Sequence, residues 1–166
     1  MMKSVALLII TLSLGACGYH LVGHGGQQGV LAADVQQLQL QGSDAEGKAM
    51  AEALLPMLAA EYQVSLQATQ DDASAARLRV VDAAQQVDIS AYDAAGIAIQ
   101  YRMTLRGAIQ VIQPEADVWQ SREIVVSGDV FASGDAIAVE AAKARTHEDL
   151  LQEWATQAMN AIQSGF

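Results

Sequence analysis

Cys17 is the single cysteine in this chain of 166 residues. Its thiol could pair with another thiol, bind a metal, attack a substrate or carry a covalent group. A disulfide needs a second cysteine, zinc needs several Cys or His ligands nearby, and a nucleophile needs a positioned base. The chain has no second cysteine, and near Cys17 it offers only His20 and His24 rather than a full ligand set or a positioned base. His20 and His24 are four apart but enclose Leu-Val-Gly with no Glu, and His147 is distant, so no HExxH motif is formed and all three read as solvated or capping side chains. Gly23-His24-Gly25-Gly26 is superficially like an oxyanion loop, yet the chain has no Gly-x-Ser-x-Gly elbow to supply a nucleophile and no Gly-Lys-Ser/Thr ending for a phosphate loop. The acid pairs Asp71-Asp72 and Glu148-Asp149 fall in a polar loop and early in a helix, where solvation accounts for them. The expectation is a protein that is not an enzyme and holds no metal or cofactor.

The segment leading to Cys17 supplies the remaining chemistry. Lys3 gives a positive start, Val5 to Leu14 form an apolar run, and Gly15-Ala16 are the small residues of a cut site, so residues 1–16 read as a secretory signal. The apolar run is shorter than the roughly 20 residues a membrane-spanning helix needs. Leu14-Gly15-Ala16-Cys17 resembles the lipobox of bacterial lipoproteins. That resemblance implies cleavage before Cys17, a diacylglycerol on its sulfur and an acyl chain on the new amino group. Each buried methylene contributes about 0.8 kcal/mol, so several chains make a stable tether where one would not. Such lipoproteins use aspartate after the cysteine as an inner-membrane retention signal; Gly18 stands there instead, which points to the periplasmic side of the outer membrane.

The remainder, residues 17–166, reads as one domain. Composition is 52% hydrophobic and 17% charged, enough apolar surface for a core. Nineteen acids against nine bases give a net charge of −10, which becomes −11 when Lys3 leaves with the signal. That balance works against nucleic acid, whose phosphates are held by clustered Lys and Arg.

Gly18 to Gly23 read as a short strand, Gly23 to Gly29 as a linker, and Val35 to Gly42 as a half-buried strand. Ser43-x-x-Glu46 forms a capping box, and Met50, Leu54, Met57 and Leu58 follow at helical spacing, with Tyr62 near the end. Pro56 predicts a kink or a restart there. Ala68 to Ala76 form a polar loop. Leu78 and Val80 sit on even positions while Val87, Ile89 and Ala91 sit on odd ones, so a β-bulge around Ala83–Gln86 is expected. The odd positions from Ile97 to Val111 are apolar apart from Gly107, and the even ones carry Gln100, Arg102, Thr104, Arg106 and Gln110, the mark of a strand with one dry and one wet face. A turn at Gln113–Asp117 leads to a strand over Val118–Phe131. Ser133 or Asp135 caps a last helix whose stripe is Leu150, Leu151, Trp154, Ala158, Met159 and Ile162. The expected fold is α+β, two helices packed on one face of a mainly antiparallel four-stranded sheet. Arg102 and Arg106 then share the wet face, either as solvated side chains or as a surface that meets a polar lining on a partner.

The start Ala16-Cys17-Gly18-Tyr19-His20-Leu21, the strand Ile99 to Val111, the segment Val125 to Ala141 and the Leu/Trp/Met terminal helix resemble, in order and spacing, the lipopolysaccharide-assembly lipoprotein family, LptE. The resemblance implies a plug inside the outer-membrane barrel LptD that assists barrel assembly and lipopolysaccharide insertion at the cell surface. The family is also thought to touch lipopolysaccharide through bases near the turn before the central strand. Here that turn is Tyr92-Asp93-Ala94-Ala95-Gly96, with an acid and no base, which leaves Arg102, Arg106, Lys143 and Arg145 as substitutes. The alternative reading is a lipid-anchored periplasmic carrier for an amphipathic lipid, which requires a sizeable apolar cavity between helices and sheet.

Overall fold

The computed structural model describes residues 29–32, 35–66, 76–114, 116–132 and 135–165. The signal, Cys17, the strand expected at Gly18–Gly23 and most of the Ala68–Ala76 loop lie outside them. The elements run β1 (Gln37–Gly42), α1 (Ala45–Ala59), β2 (Gln63–Leu66), β3 (Ala76–Tyr92), β4 (Ala98–Ile112), β5 (Trp119–Gln120), β6 (Ile124–Phe131) and α2 (Ala136–Ser164). The strands form one sheet in the order β2-β1-β3-β4, with β5 and β6 both on the far side of β4. The long pairings, β3 with β4 and β4 with β6, are antiparallel, and the short ones of β1 with β2 and β3 are parallel. The α+β architecture expected from the sequence is present.

Alternation explains the core. Leu38 and Leu40 of β1, Leu78 and Val80 of β3, Met103, Leu105, Ile109 and Val111 of β4, and Val126 and Val130 of β6 are buried. Met50, Leu54 and Leu58 of α1 and Leu150, Trp154, Ala158 and Ile162 of α2 close over them at spacings of four. Burying a Leu or Met side chain contributes about 1.5–3 kcal/mol, so this one contiguous cluster dominates stability. Gly107 and Gly128 on this face lie directly beneath helix side chains. A Cβ at Gly107 would sit 3.2 Å from the Met50 sulfur of α1, and one at Gly128 would sit 3.1 Å from the Thr146 methyl of α2.

The helix starts differ from the sequence expectation in one respect. Ser43 is not the cap of α1, because its amide still belongs to the strand end and donates to the Val80 carbonyl at 3.2 Å. Asp44, with extended backbone, accepts from the Gly47 amide at 2.7 Å instead. Glu46 is thereby released from the expected capping box. Asp135 caps α2 by accepting from the Ala138 amide, and α1 continues through Pro56 as one segment to Ala59. The bulge lies where the parity switch put it, between Val81 and Ala84, with Asp82 at φ 55°. The strand expected over Val118–Phe131 is interrupted at buried Ser121, whose hydroxyl accepts from the Ile109 amide and donates to the Arg122 carbonyl. That side chain takes the place of a ladder bond.

The dry stripe of β4 is not dry along its whole length. Ile97 and Ile99 are 64% and 42% exposed, although they continue the odd-numbered series. The cause is the length of the helical layer. α1 begins beside the Gly42–Val80 pairing, so nothing from α1 lies above the outer halves of β3 and β4. At the other end, residues 29–32 are tied to the ends of β4 and α2: the Val30 amide donates to the Ile162 carbonyl, and the Gln113 side chain bonds both Val30 and Ala32. The hairpin tip and this tie therefore lie at opposite ends of β4, about 50 Å apart at roughly 3.3 Å per residue.

Candidate interaction surface

The face of the sheet away from the helices is a polar surface assembled in rows by strand register. Gln41, Arg79, Gln110 and Gln120 form one row, Ala84, Arg106 and Val125 another, then Gln86, Thr104 and Ser127, and finally Asp88, Arg102 and Asp129. In the last row Arg102 donates to Asp129 through Nε at 3.0 Å and through a terminal nitrogen at 3.3 Å. This fork holds the Asp129 carboxyl below the usual carboxylate range and raises the Arg102 guanidinium further. Arg102 is therefore spent on its neighbour strand. Arg106, two residues further along the same face, is exposed and has no ion pair or hydrogen-bond partner among the described residues.

The other two expected bases lie on α2. Lys143 pairs with Glu140 at 2.8 Å and stands 4.6 Å from the centre of the Tyr101 ring, and its ammonium is held charged first by the Glu140 hydrogen bond. Tyr101 faces the helices, because it is two residues from Met103 on the same alternation. The sheet thus separates Lys143 from Arg102 and Arg106. Arg145 is exposed on α2 and unpaired among the described residues. The four bases do not converge on one point.

The hairpin tip is organised by its acid. Asp93 Oδ1 accepts from the amides of Ala95 at 2.9 Å and Ile97 at 2.8 Å, while its own amide donates to the Ile97 carbonyl. That carboxylate is engaged in holding the turn.

Sequence reasoning missed one contact between the helices. Glu46 Oε1 lies 2.8 Å from His147 Nε2, and both side chains are partly buried. Their separation of 101 residues leaves no local signal. At the far end of the helices Gln163 reaches Glu61 at 3.3 Å. The two contacts show that α1 runs parallel to α2 alongside its residues 147–163.

Among the described residues no group of three His, Cys, Asp or Glu side chains is placed to hold a metal ion, and no helix is long and apolar enough to cross a membrane. A depression of about 330 Å³ lies at the edge of β1 beside the start of α1, lined by Leu40, Ser43, Lys48, Glu52, Leu66 and Arg79 among others. It opens at the surface and mixes charged with apolar groups.

No family model matches the sequence, and no curated protein matches it. Solved structures do share its fold. Rare lipoprotein B from Shewanella oneidensis aligns over 78% of this chain and 96% of its own, at 16% identity and a TM-score of 0.63. A minor lipoprotein from Acinetobacter baumannii aligns over 78% and 92%, at 14% identity and 0.60. An uncharacterized lipoprotein B from Nitrosomonas europaea aligns over 81% and 90%, at 15% identity and 0.58. At these identities the likeness is one of fold.

Proposed function

We propose that this chain is an outer-membrane lipoprotein, anchored through acyl chains on Cys17, that plugs the LptD barrel, assists its assembly and takes part in lipopolysaccharide insertion at the cell surface. The observation that carries the reading is the fold. It is shared over most of the chain with three proteins described as lipoproteins, and residues 1–16 of this chain read as a signal that ends in Leu14-Gly15-Ala16, directly before Cys17. The anchor is supported by the resemblance of Leu14-Gly15-Ala16-Cys17 to a lipobox, and by a cysteine with no partner thiol behind an apolar run too short to span a membrane.

A plug must present a polar surface to a water-filled lumen, and the glutamine, arginine and threonine rows of the open sheet face suit that task. The role is one of binding, with no covalent chemistry and no cofactor beyond the lipid. If lipopolysaccharide is contacted directly, Arg106 and Arg145 are the bases free to meet its phosphates, since Arg102 and Lys143 already have carboxylate partners. The carrier alternative asks for an apolar cavity under the helices. Trp154, Leu54, Met50, Leu105 and Ile109 fill that space instead, which favours the interaction protein.

Native membranes test the reading. The protein is expected to stay with the outer membrane, to leave it when Cys17→Ser is introduced, and to co-purify with a large barrel. Depletion is expected to lower lipopolysaccharide at the cell surface. Normal surface lipopolysaccharide with a properly assembled barrel in depleted cells overturns the barrel role, and an unchanged membrane fraction for Cys17→Ser overturns the anchor.

A further inference from the structure

β1 leaves β3 at the Gly42–Val80 pairing, and the bulge after Val81 bends β3 onward with β4 as its one partner strand among the described residues. From Ala84 to Ala91 the other edge of β3 therefore has backbone donors and acceptors with no strand of the described residues across from them. The segment is also bare on both faces. Every residue from Gln85 to Ser90 is exposed, including Val87 at 41% and Ile89 at 45% on the helix side and Gln86 and Asp88 on the other. Folded proteins ordinarily blunt such an edge with lysine, proline or a cover. Between Asp82 and Tyr92 there is no Lys, Arg or Pro.

We propose that this edge, Ala84 to Ala91, receives an extended segment of another polypeptide as an added strand, and that the segment carries Lys or Arg where it passes Asp88. The backbone supplies the directional bonds of strand addition, while Val87 and Ile89 offer apolar contacts at every second position. Charge selects the occupant. The segment carries Asp82 and Asp88 and no base of its own; Asp88 accepts from the Gln86 side chain at 2.9 Å and lies in register with Arg102, which is engaged by Asp129, so a basic residue opposite is favourable and a like charge is not. A second copy of this chain brings the same acids and a net charge of −10, which disfavours self-pairing. The wall of a closed β-barrel cannot be the donor either, because its strands are already paired on both sides. The donor is a tail or loop. This inference stands apart from the barrel reading.

The test uses the full-length lipidated protein in its native membrane. A photoreactive residue is placed singly at each position from Gln85 to Ser90, and the crosslinked sites on the partner are mapped. Amide exchange over the same segment is compared between the membrane assembly and the protein purified alone. The expected result is a crosslink that advances two residues on one partner for every two residues here. Alternate amides from Ala84 to Ile89, ahead of the register shift before Ala91, should exchange at least tenfold more slowly in the assembly. Asp88→Lys should reduce both signals by at least fivefold at an unchanged melting temperature, and Asp88→Asn by less. Equal exchange in the two states, crosslinks without register, or crosslinks to a second copy or to lipid would overturn the proposal.

Discussion

Glu46 Oε1 and His147 Nε2 meet at 2.8 Å, and level with that contact the layer above the sheet changes from two helices to one. Below it, α1 and α2 run parallel over the core. Beyond it α2 continues alone along β6, with Lys143 over Tyr101 and Thr146 against Gly128. The outer part of β3 is left uncovered.

The pair is partly buried and fastens the start of α1 to the middle of α2, so it should be coupled energetically. A double-mutant cycle with Glu46→Gln and His147→Ala, read by urea unfolding, is expected to give a coupling of about 1 kcal/mol, the upper end of what exposed pairs give. A value within error of zero would mean that the two side chains act independently.

The change of layer also divides one sequence pattern into two energetic classes. Leu105 and Ile99 occupy the same alternation on β4, yet Leu105 is fully buried and Ile99 is not. Leu105→Ala is expected to cost about 2–5 kcal/mol, and Ile99→Ala about 0.5 kcal/mol or less. Thermal and urea unfolding of the two variants side by side decide this; equal losses would place a cover over the outer hairpin.

Those two residues show what a linear sequence carries and what it omits. The alternation of β4 reveals a strand and its faces, and the parity change from Val80 to Val87 reveals the bulge, because both follow from the two-residue period of a strand. Which part of the dry face is covered depends on where α1 starts in space, and no local pattern encodes that. β2 was missed for a related reason: Gln63–Leu66 is short, lies at the sheet edge and is held by its parallel pairing to β1. On the polar face the spacing of Arg102 and Arg106 shows that they are neighbours on one side. It does not show that Asp129, 27 residues away, neutralises the first and leaves the second free.

The turn from β1 into α1 depends on the absence of a side chain. A Cβ at Gly42 would lie 2.2 Å from the Gly47 carbonyl carbon and 2.3 Å from the Lys48 nitrogen, both backbone atoms that move only with the helix. Gly42→Ala is expected to destabilise by about 1–3 kcal/mol, the range of overpacking in a filled site. Denaturant unfolding measures it, and an unchanged midpoint would show that α1 can shift at no cost.

The Arg102–Asp129 fork makes a prediction about acid. Hydrogen bonds from Arg102 lower the native Asp129 pKa, so the unfolded chain takes up a proton there more readily than the folded one. The carboxylate's stabilising contribution is then fully present above the ordinary aspartate value of about 3.9 and is lost as pH falls from there through the lower native value. Asp129→Asn should therefore unfold more easily than the parent at neutral pH, with a gap that stays level down to about pH 5 and closes below pH 4. Arg102→Gln removes the donor, and in that background the same substitution should show a gap that no longer closes with acid. Unfolding curves of the four proteins from pH 2 to 7 make the comparison. If the gap keeps its size at pH 2 in the parent background, the fork is not what stabilises the ionised form.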